Sequence, residues 1–83
     1  MPDWATTEVV REAARVKASS TVFMWVKNGV LPKPTIVERG RKGRMARWPL
    51  HAPAQAAWVA NLLAAGFTWQ EIRERLNRGE FRP

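Results

Sequence analysis

The chain has 83 residues, no cysteine and a formal net charge of +7. This length gives one small domain, residues 1–83, near the lower limit for a self-sufficient core. The lack of cysteine excludes disulfides and thiolate metal sites. The longest apolar stretch, residues 52–67, is too polar to span a membrane, and the N-terminus does not resemble a signal peptide. We therefore expect a cytoplasmic protein without membrane contact.

The positive charge is concentrated in the middle third of the chain. Residues 15–47 carry nine lysines and arginines and a single acid, Glu38, for a net charge of +8. Residues 1–14 carry −2 and residues 48–83 carry +1. A localised basic block is typical of a surface that binds a polyanion. On charge alone, a basic surface that only confers solubility stays an open alternative.

Two short helices are predicted at the start of the chain. The first begins at Thr6 or Thr7 and runs to about Val16. The Ser19-Ser20 pair is predicted to cap the second helix, which ends at Gly29 because only glycine adopts a left-handed conformation cheaply. A helix, a tight turn and a second helix form the order of a helix-turn-helix. The predicted buried stripe of the second helix is Val22, Trp25 and Val26.

A basic β-hairpin is predicted to follow. Two prolines make residues 30–34 an extended connector. Residues 35–38 are rich in β-branched side chains and are predicted as a strand, and residues 44–48 as the returning strand. The tip between them, Arg39-Gly40-Arg41-Lys42-Gly43, supplies turn glycines and three cations.

Two further helices complete the predicted fold. Pro53 suits the first turn of a third helix, and Gly66 is predicted to end it. Thr68 and Glu71 form a Thr-x-x-Glu capping box that starts a fourth helix, which ends near Gly79. The predicted fold class is therefore mainly α with a small two-stranded β-hairpin.

This order of elements resembles the DNA-binding domain of the MerR family. Lys27-Asn28-Gly29-Val30-Leu31-Pro32 is similar to the end of that family's recognition helix and its Gly-Leu-Leu-Pro. Met45-Ala46-Arg47-Trp48 stands where the family has Tyr-Arg-x-Tyr at the end of its wing. Gly66-Phe67-Thr68-Trp69-Gln70-Glu71-Ile72 resembles the family's Gly-Phe-Ser-Leu-Glu-Glu-Ile. Three positions depart from the pattern: Phe23-Met24 replaces Arg-Tyr, and Ala46 replaces the wing arginine.

The resemblance implies a winged helix-turn-helix that binds double-stranded DNA, with sequence specificity, in transcription regulation. Residues 19–28 would form the recognition helix in the major groove, and residues 39–47 would form a basic wing along the backbone or minor groove. A helix N-terminus attracts phosphate, and clustered wing cations release counterions when they bind phosphates. The side chains expected to contact DNA are Lys17, Ser19, Ser20, Phe23, Met24, Lys27, Arg39, Arg41, Lys42, Arg44 and Arg47.

Several of these residues have a second interpretation. Phe23 and Met24 are predicted to point outward, where they fit contact with a thymine methyl or with a protein; partial burial against the wing stays open. Arg47 could instead pair with a carboxylate on the body of the domain. Trp4 is placed over the end of the first helix. The tryptophans predicted to be structural, rather than stacking platforms for single strands, are Trp25, Trp48, Trp58 and Trp69.

Alternative functions keep the same fold. One is an accessory DNA-binding protein of phage DNA packaging or of excision and recombination. Another is a protein-interaction module, which Phe23-Met24 and Ala46 would suit. The single histidine, His51, and the missing cysteines leave no catalytic constellation, so we expect no enzyme, metal or cofactor site.

MerR regulators dimerise through a long helix after this domain and sense a small molecule beyond it. The chain ends at Pro83 without either feature. We therefore expect an excised domain or a stand-alone small protein of a bacterium or phage, with no effector site of its own. Any dimer would form on DNA or through a region outside this chain.

Overall fold

Three short strands form one antiparallel sheet in the computed structural model, which describes residues 3–82 except for the side chain of Lys42. β1 (Trp4–Ala5) pairs with β3 (Arg44–Pro49), and β3 pairs on its other side with β2 (Thr35–Glu38). The two predicted hairpin strands are confirmed. The predicted two-stranded sheet is corrected to three strands, because two residues are too few for an alternating pattern to reveal β1.

Four helices make up most of the rest of the described chain. They are α1 (Thr7–Ala14), α2 (Ser19–Lys27), α3 (Ala52–Ala64) and α4 (Trp69–Asn77). The mainly helical class is confirmed, with the additional strand. α1 ends earlier than the predicted Val16 because Arg15 turns the chain in a left-handed conformation, with φ 58°. Between residues 3 and 82, no helix is both long enough and apolar enough to cross a membrane.

Side-chain caps begin two of these helices where the sequence predicts them. The Val9 N–H donates to Thr6 Oγ1 at 3.2 Å at the start of α1. At the start of α4, the Glu71 N–H donates to Thr68 Oγ1 at 3.2 Å, and the Thr68 N–H donates to Glu71 Oε1 at 2.9 Å. The predicted capping box is therefore confirmed. Hydrogen bonds from the Thr68 backbone and side chain lower the pKa of Glu71.

The core is built around Trp48, whose side chain is completely buried near the end of β3. Its indole Nε1 donates to Thr7 Oγ1 at 2.9 Å, which joins the sheet to the start of α1. α1 in turn packs along α3. Two strands, β1 and β3, and all four helices contribute buried apolar residues to one core. The other large side chains that are completely buried are Val10, Val22, Val30, Val59 and Ile72.

The predicted structural tryptophans occupy two layers. Trp25 and Trp48 are buried, which confirms their core role. Trp58 and Trp69 are partly buried against that core. Trp69 meets Trp25 edge-on, with ring centroids 6.3 Å apart, and Trp58 packs on Phe81 at 5.6 Å. The first contact joins α2 to α4, and the second joins α3 to the segment after α4.

The end of α2 is fixed by contacts from α3 and α4. Gly29 ends the helix with φ 76°, as the sequence predicts. The buried Gln55 side chain of α3 donates to the Val30 carbonyl at 2.9 Å. Arg73 of α4 donates from Nη1 to the Asn28 carbonyl at 2.8 Å. The bond to Asn28 satisfies the carbonyl of the residue that caps the end of α2, and the bond to Val30 ties the following connector to α3.

Substitution of Gly29 by alanine is expected to destabilise the fold by about 1–2 kcal/mol, the cost of a left-handed conformation for an L-residue, plus a steric contribution. An added Cβ would stand 3.2 Å from Arg73 Cδ. Gly79→Ala is the matched control, since Gly79 has φ 75° but open space around it. Urea unfolding should show a larger loss for Gly29→Ala. Equal losses would mean that the Arg73 contact contributes no strain.

Candidate nucleic-acid interface

The N-terminal turn of α2 lies in the basic middle third of the chain and is a candidate anion-binding site. Ser19 and Ser20 lie inside the helix with exposed side chains, and the exposed Lys17 precedes them. The N-cap is Ala18, whose backbone is extended with φ −109° and ψ 133°. The prediction that the serine pair caps α2 is therefore wrong. Alanine has no side-chain acceptor for the first turn, in which the Thr21 N–H donates to the Ala18 carbonyl at 3.1 Å. The N–H groups of Ser19 and Ser20 are therefore open to an external acceptor such as phosphate.

The outward face of α2 carries Ser20, Met24 and Lys27. These residues follow one another at helical spacing of four and three, so they share a face. All three are exposed, and Met24 keeps 47% of its accessible surface. Val22 and Trp25 on the opposite face are buried in the core. The outward face is therefore the part of α2 that a nucleic-acid groove would meet.

Phe23 does not share this outward face. Its side chain is half-buried, and its ring centroid lies 5.3 Å from that of Trp48 at a tilt of 51°. Packing on a buried indole removes a large apolar surface from water. The alternative of partial burial against the wing therefore holds for Phe23, which packs on β3, and the outward placement holds for Met24.

The tip of the β2–β3 hairpin is a tight turn shaped by two glycines. The Arg39 N–H donates to the Gly43 carbonyl at 2.7 Å, and residues Gly40–Lys42 form one turn of 3-10 helix. Gly40 and Gly43 have φ of 60° and 80°, values that other residues rarely adopt. Arg39 and Arg41 are both exposed at this turn. The side chain of Lys42, also a predicted DNA contact, lies outside the part that the structure describes.

The cations of the tip are only weakly neutralised by the protein. Arg44 Nε lies 3.8 Å from Glu38 Oε1, and both side chains are about three-quarters or more exposed, at 76% and 80%. An exposed pair of this kind contributes little. Arg39 Nη1 donates to Met45 Sδ at 3.6 Å, and a thioether carries no compensating charge. The hairpin therefore keeps its positive charge for an external anion.

The sheet separates Arg44 from Arg47. Side chains alternate along β3, so Arg44 shares the face of the buried Trp48, and Arg47 lies on the other face. The Arg47 guanidinium carbon is 4.9 Å from the ring centre of Trp4. In the described structure Arg47 thus contacts an aromatic ring. The alternative partner suggested by the sequence was a carboxylate on the body of the domain. Trp4 lies in β1 beside the hairpin, which corrects its predicted place over the end of α1.

An apolar groove of about 270 Å³ lies between α2 and the hairpin. It brings Lys27 of α2 close to Ile36 of β2, although nine residues separate them in sequence. The groove also brings in Lys33, which sequence reasoning did not select. Lys33 stands between Pro32 and Pro34, and these prolines favour an extended connector. That pattern was the sequence signal for a fixed position of Lys33. The residues that line the groove are Phe23, Val26, Lys27, Lys33, Pro34 and Ile36.

No protein-family model, curated protein or solved structure matches this chain. The fold defines a small, mainly helical protein with a three-stranded antiparallel sheet. Among the described residues, no group of three or more His, Cys, Asp or Glu is placed to hold a metal ion. The features that bear on function are therefore α2, the hairpin and the groove between them.

Proposed function

We propose that this protein binds double-stranded DNA with sequence specificity and acts in transcription regulation, as a winged helix-turn-helix of the MerR type. The observation that carries the proposal is the exposed, weakly neutralised cluster of cations on the hairpin, which the groove joins to the later half of α2. Residues 15–47 hold a net charge of +8. Neutralising such a cluster with phosphates releases condensed counterions from DNA, which drives binding.

The groove links the two halves of this interface. Lys27 of α2 and Ile36 of β2 line the same groove. Ile36 pairs with Ala46 and Glu38 with Arg44 in the antiparallel register, so Arg44 continues along the hairpin face that turns toward α2. With the outward face of α2 in the major groove of a duplex, the hairpin would therefore contact the adjoining DNA backbone. Arg47 lies on the opposite sheet face, so we assign it no groove contact.

The first test is fluorescence anisotropy of a labelled mixed-sequence duplex titrated with the protein at several salt concentrations. Each phosphate contact adds about 0.9 to the slope of log K against log salt. Contacts from Lys27, Arg39, Arg41 and Arg44 would give a slope of about −3.6. Failure to bind any duplex at about 50 mM salt would contradict the proposal, since even non-specific binding is strong there.

Amide shifts locate the interface independently of affinity. Addition of duplex DNA is expected to move the signals of residues 19–28 and 39–44. Residues 60–65 at the end of α3 serve as the internal control, and their signals should stay in place. Shifts confined to that end of α3 would place the DNA on another surface.

Accessory roles in phage DNA packaging or in excision would use the same contacts. They differ from transcription regulation in the sequence that is bound. Selection from a random duplex pool would give the preferred sequence. The genomic position of that sequence, at promoters or at packaging and excision sites, then separates these roles.

The apolar groove favours one further candidate, a protein-interaction module. An acidic peptide with an apolar anchor fits its chemistry, because Phe23 and Ile36 offer an apolar surface and Lys27 and Lys33 offer charge. In that case a peptide partner would move the signals of the groove residues, and duplex DNA would leave both the groove and the hairpin tip unchanged.

A further inference from the structure

Apart from Lys27 at its last residue, the outward face of α2 lacks the side chains that usually read bases. Guanine is read by arginine or lysine, adenine by asparagine or glutamine, and cytosine by aspartate or glutamate. The sequence of residues 19–27, SSTVFMWVK, contains neither amide nor carboxylate nor guanidinium groups. Ser20 accepts and donates hydrogen bonds to several bases and so discriminates poorly between them. Base recognition by this helix must therefore rest on something else.

Asn28, the nearest amide, is held against the helix. Its Nδ2 donates to the Met24 carbonyl at 3.0 Å, and its backbone carbonyl accepts from Arg73 at 2.8 Å. Lys27 is the last residue of α2 and lines the groove next to Lys33. Base contacts of a recognition helix come mainly from its N-terminal part, so Lys27 is placed for a phosphate.

Met24 is left in the middle of the face. It keeps 47% of its surface exposed, with Ser20 one turn before it on the same face. Phe23, the other apolar candidate, is engaged by Trp48. A thioether side chain is unbranched and polarisable, and it adapts to a small apolar surface. Thymine is the base that presents such a surface in the major groove, its C5 methyl group.

We propose, on the basis of the DNA-binding function above, that Met24 recognises thymine C5 methyl groups and is the specificity-determining residue of this interface. The preferred site then contains thymine at the position that faces the centre of α2. The cations of the hairpin and Lys27 hold the duplex through its phosphates, which carry no sequence information.

The test begins with the preferred site that the intact protein selects from a random duplex pool. Each thymine of that site is then replaced, one at a time, by deoxyuridine, which pairs identically but lacks the methyl group. We expect about a fourfold loss of affinity at one or two positions, the value for one buried methyl-sized group. The remaining positions should tolerate the replacement.

The variant Met24→Ala completes the cycle. It is expected to bind the thymine and deoxyuridine duplexes equally, at about the affinity of the intact protein for the deoxyuridine duplex. Lys27→Ala is the matched control on the same exposed face. It should weaken both duplexes alike and lower the salt slope by about 1. Circular dichroism confirms that both variants are folded.

The outcomes separate the two proposals. A selected site without thymine, no effect of deoxyuridine at any position, or full methyl discrimination by Met24→Ala would each overturn the methyl-recognition proposal and leave DNA binding in place. Failure of the intact protein to bind any duplex would overturn both.

Discussion

The variant R41A/R44A is expected to bind duplex DNA about 60-fold more weakly than the intact protein at about 0.1 M salt. One phosphate contact contributes about 0.9 to the salt slope, which corresponds to about eightfold in affinity at that salt concentration. The loss of two contacts therefore lowers the affinity by about 60-fold and makes the salt slope shallower by about 1.8.

The R41A/R44A substitutions alter surface charge with little effect on the stability of the fold. Both arginine side chains are exposed, and the contact of Arg44 with Glu38 spans 3.8 Å in solvent. Loss of so exposed a pair costs little stability. The tip geometry is set by the backbone of Gly40 and Gly43, which the variant leaves unchanged. The thermal midpoint of R41A/R44A should therefore stay close to that of the intact protein.

The double variant R78A/R82A is the matched control. Like R41A/R44A, it removes two positive charges, here from exposed positions beyond α4. It also breaks one ion pair, between Arg78 Nη2 and Glu80 Oε2 at 2.9 Å. If the hairpin contacts phosphates, the control keeps most of the affinity and nearly the whole salt slope. Equal losses in both variants would show that only net charge matters, and the hairpin would lose its assigned role.

Features that depend on neighbouring residues could be predicted from the sequence. The capping box needs only Thr68 and Glu71 at a spacing of three, and its two hydrogen bonds form within one helical turn. The end of α2 at Gly29 needs only a residue that tolerates positive φ. The hairpin strands follow from β-branched residues around a glycine-containing tip. In each case local geometry decides, so the sequence carries the signal.

Features that depend on distant partners could not be predicted in the same way. β1 exists because Ala5 pairs with Trp48, a residue more than half the chain length away in sequence. Phe23 leaves the outward face because the Trp48 ring lies beside it. Arg47 turns to Trp4 because β1 places that ring next to β3. A helical periodicity shows which residues share a face, but it does not show what stands opposite.

The candidate site shows the same division. The cluster of Arg39, Arg41 and Arg44 is visible in the sequence because the residues are close along the chain. Lys33 and Lys27 come together only through the fold, on the rim of the apolar groove. The sequence thus identifies the basic hairpin, and the tertiary structure determines which other cations join it.

Substitution of Trp48 by alanine is expected to destabilise the protein by about 3–5 kcal/mol, the usual cost of truncating a buried large aromatic side chain. The indole is completely buried, donates to Thr7 Oγ1 and packs on Phe23. Domains of this size have a total stability of only about 4–12 kcal/mol. Much of the folded population of W48A should therefore be lost on mild heating or at low urea, which urea unfolding followed by circular dichroism measures directly.

Two milder variants separate packing from the hydrogen bond. Trp48→Phe keeps an aromatic ring in the core but removes the donor, and Thr7→Val removes the acceptor and leaves the indole N–H unpaired at a cost of about 1–3 kcal/mol. Both should remain folded at room temperature and keep duplex binding, because neither touches the outward face of α2 or the hairpin tip. W48A should regain binding only under conditions that restore its fold. Loss of DNA affinity in a fully folded Trp48→Phe protein would instead show that the indole positions α2 through Phe23, so that the core and the interface are coupled at that contact.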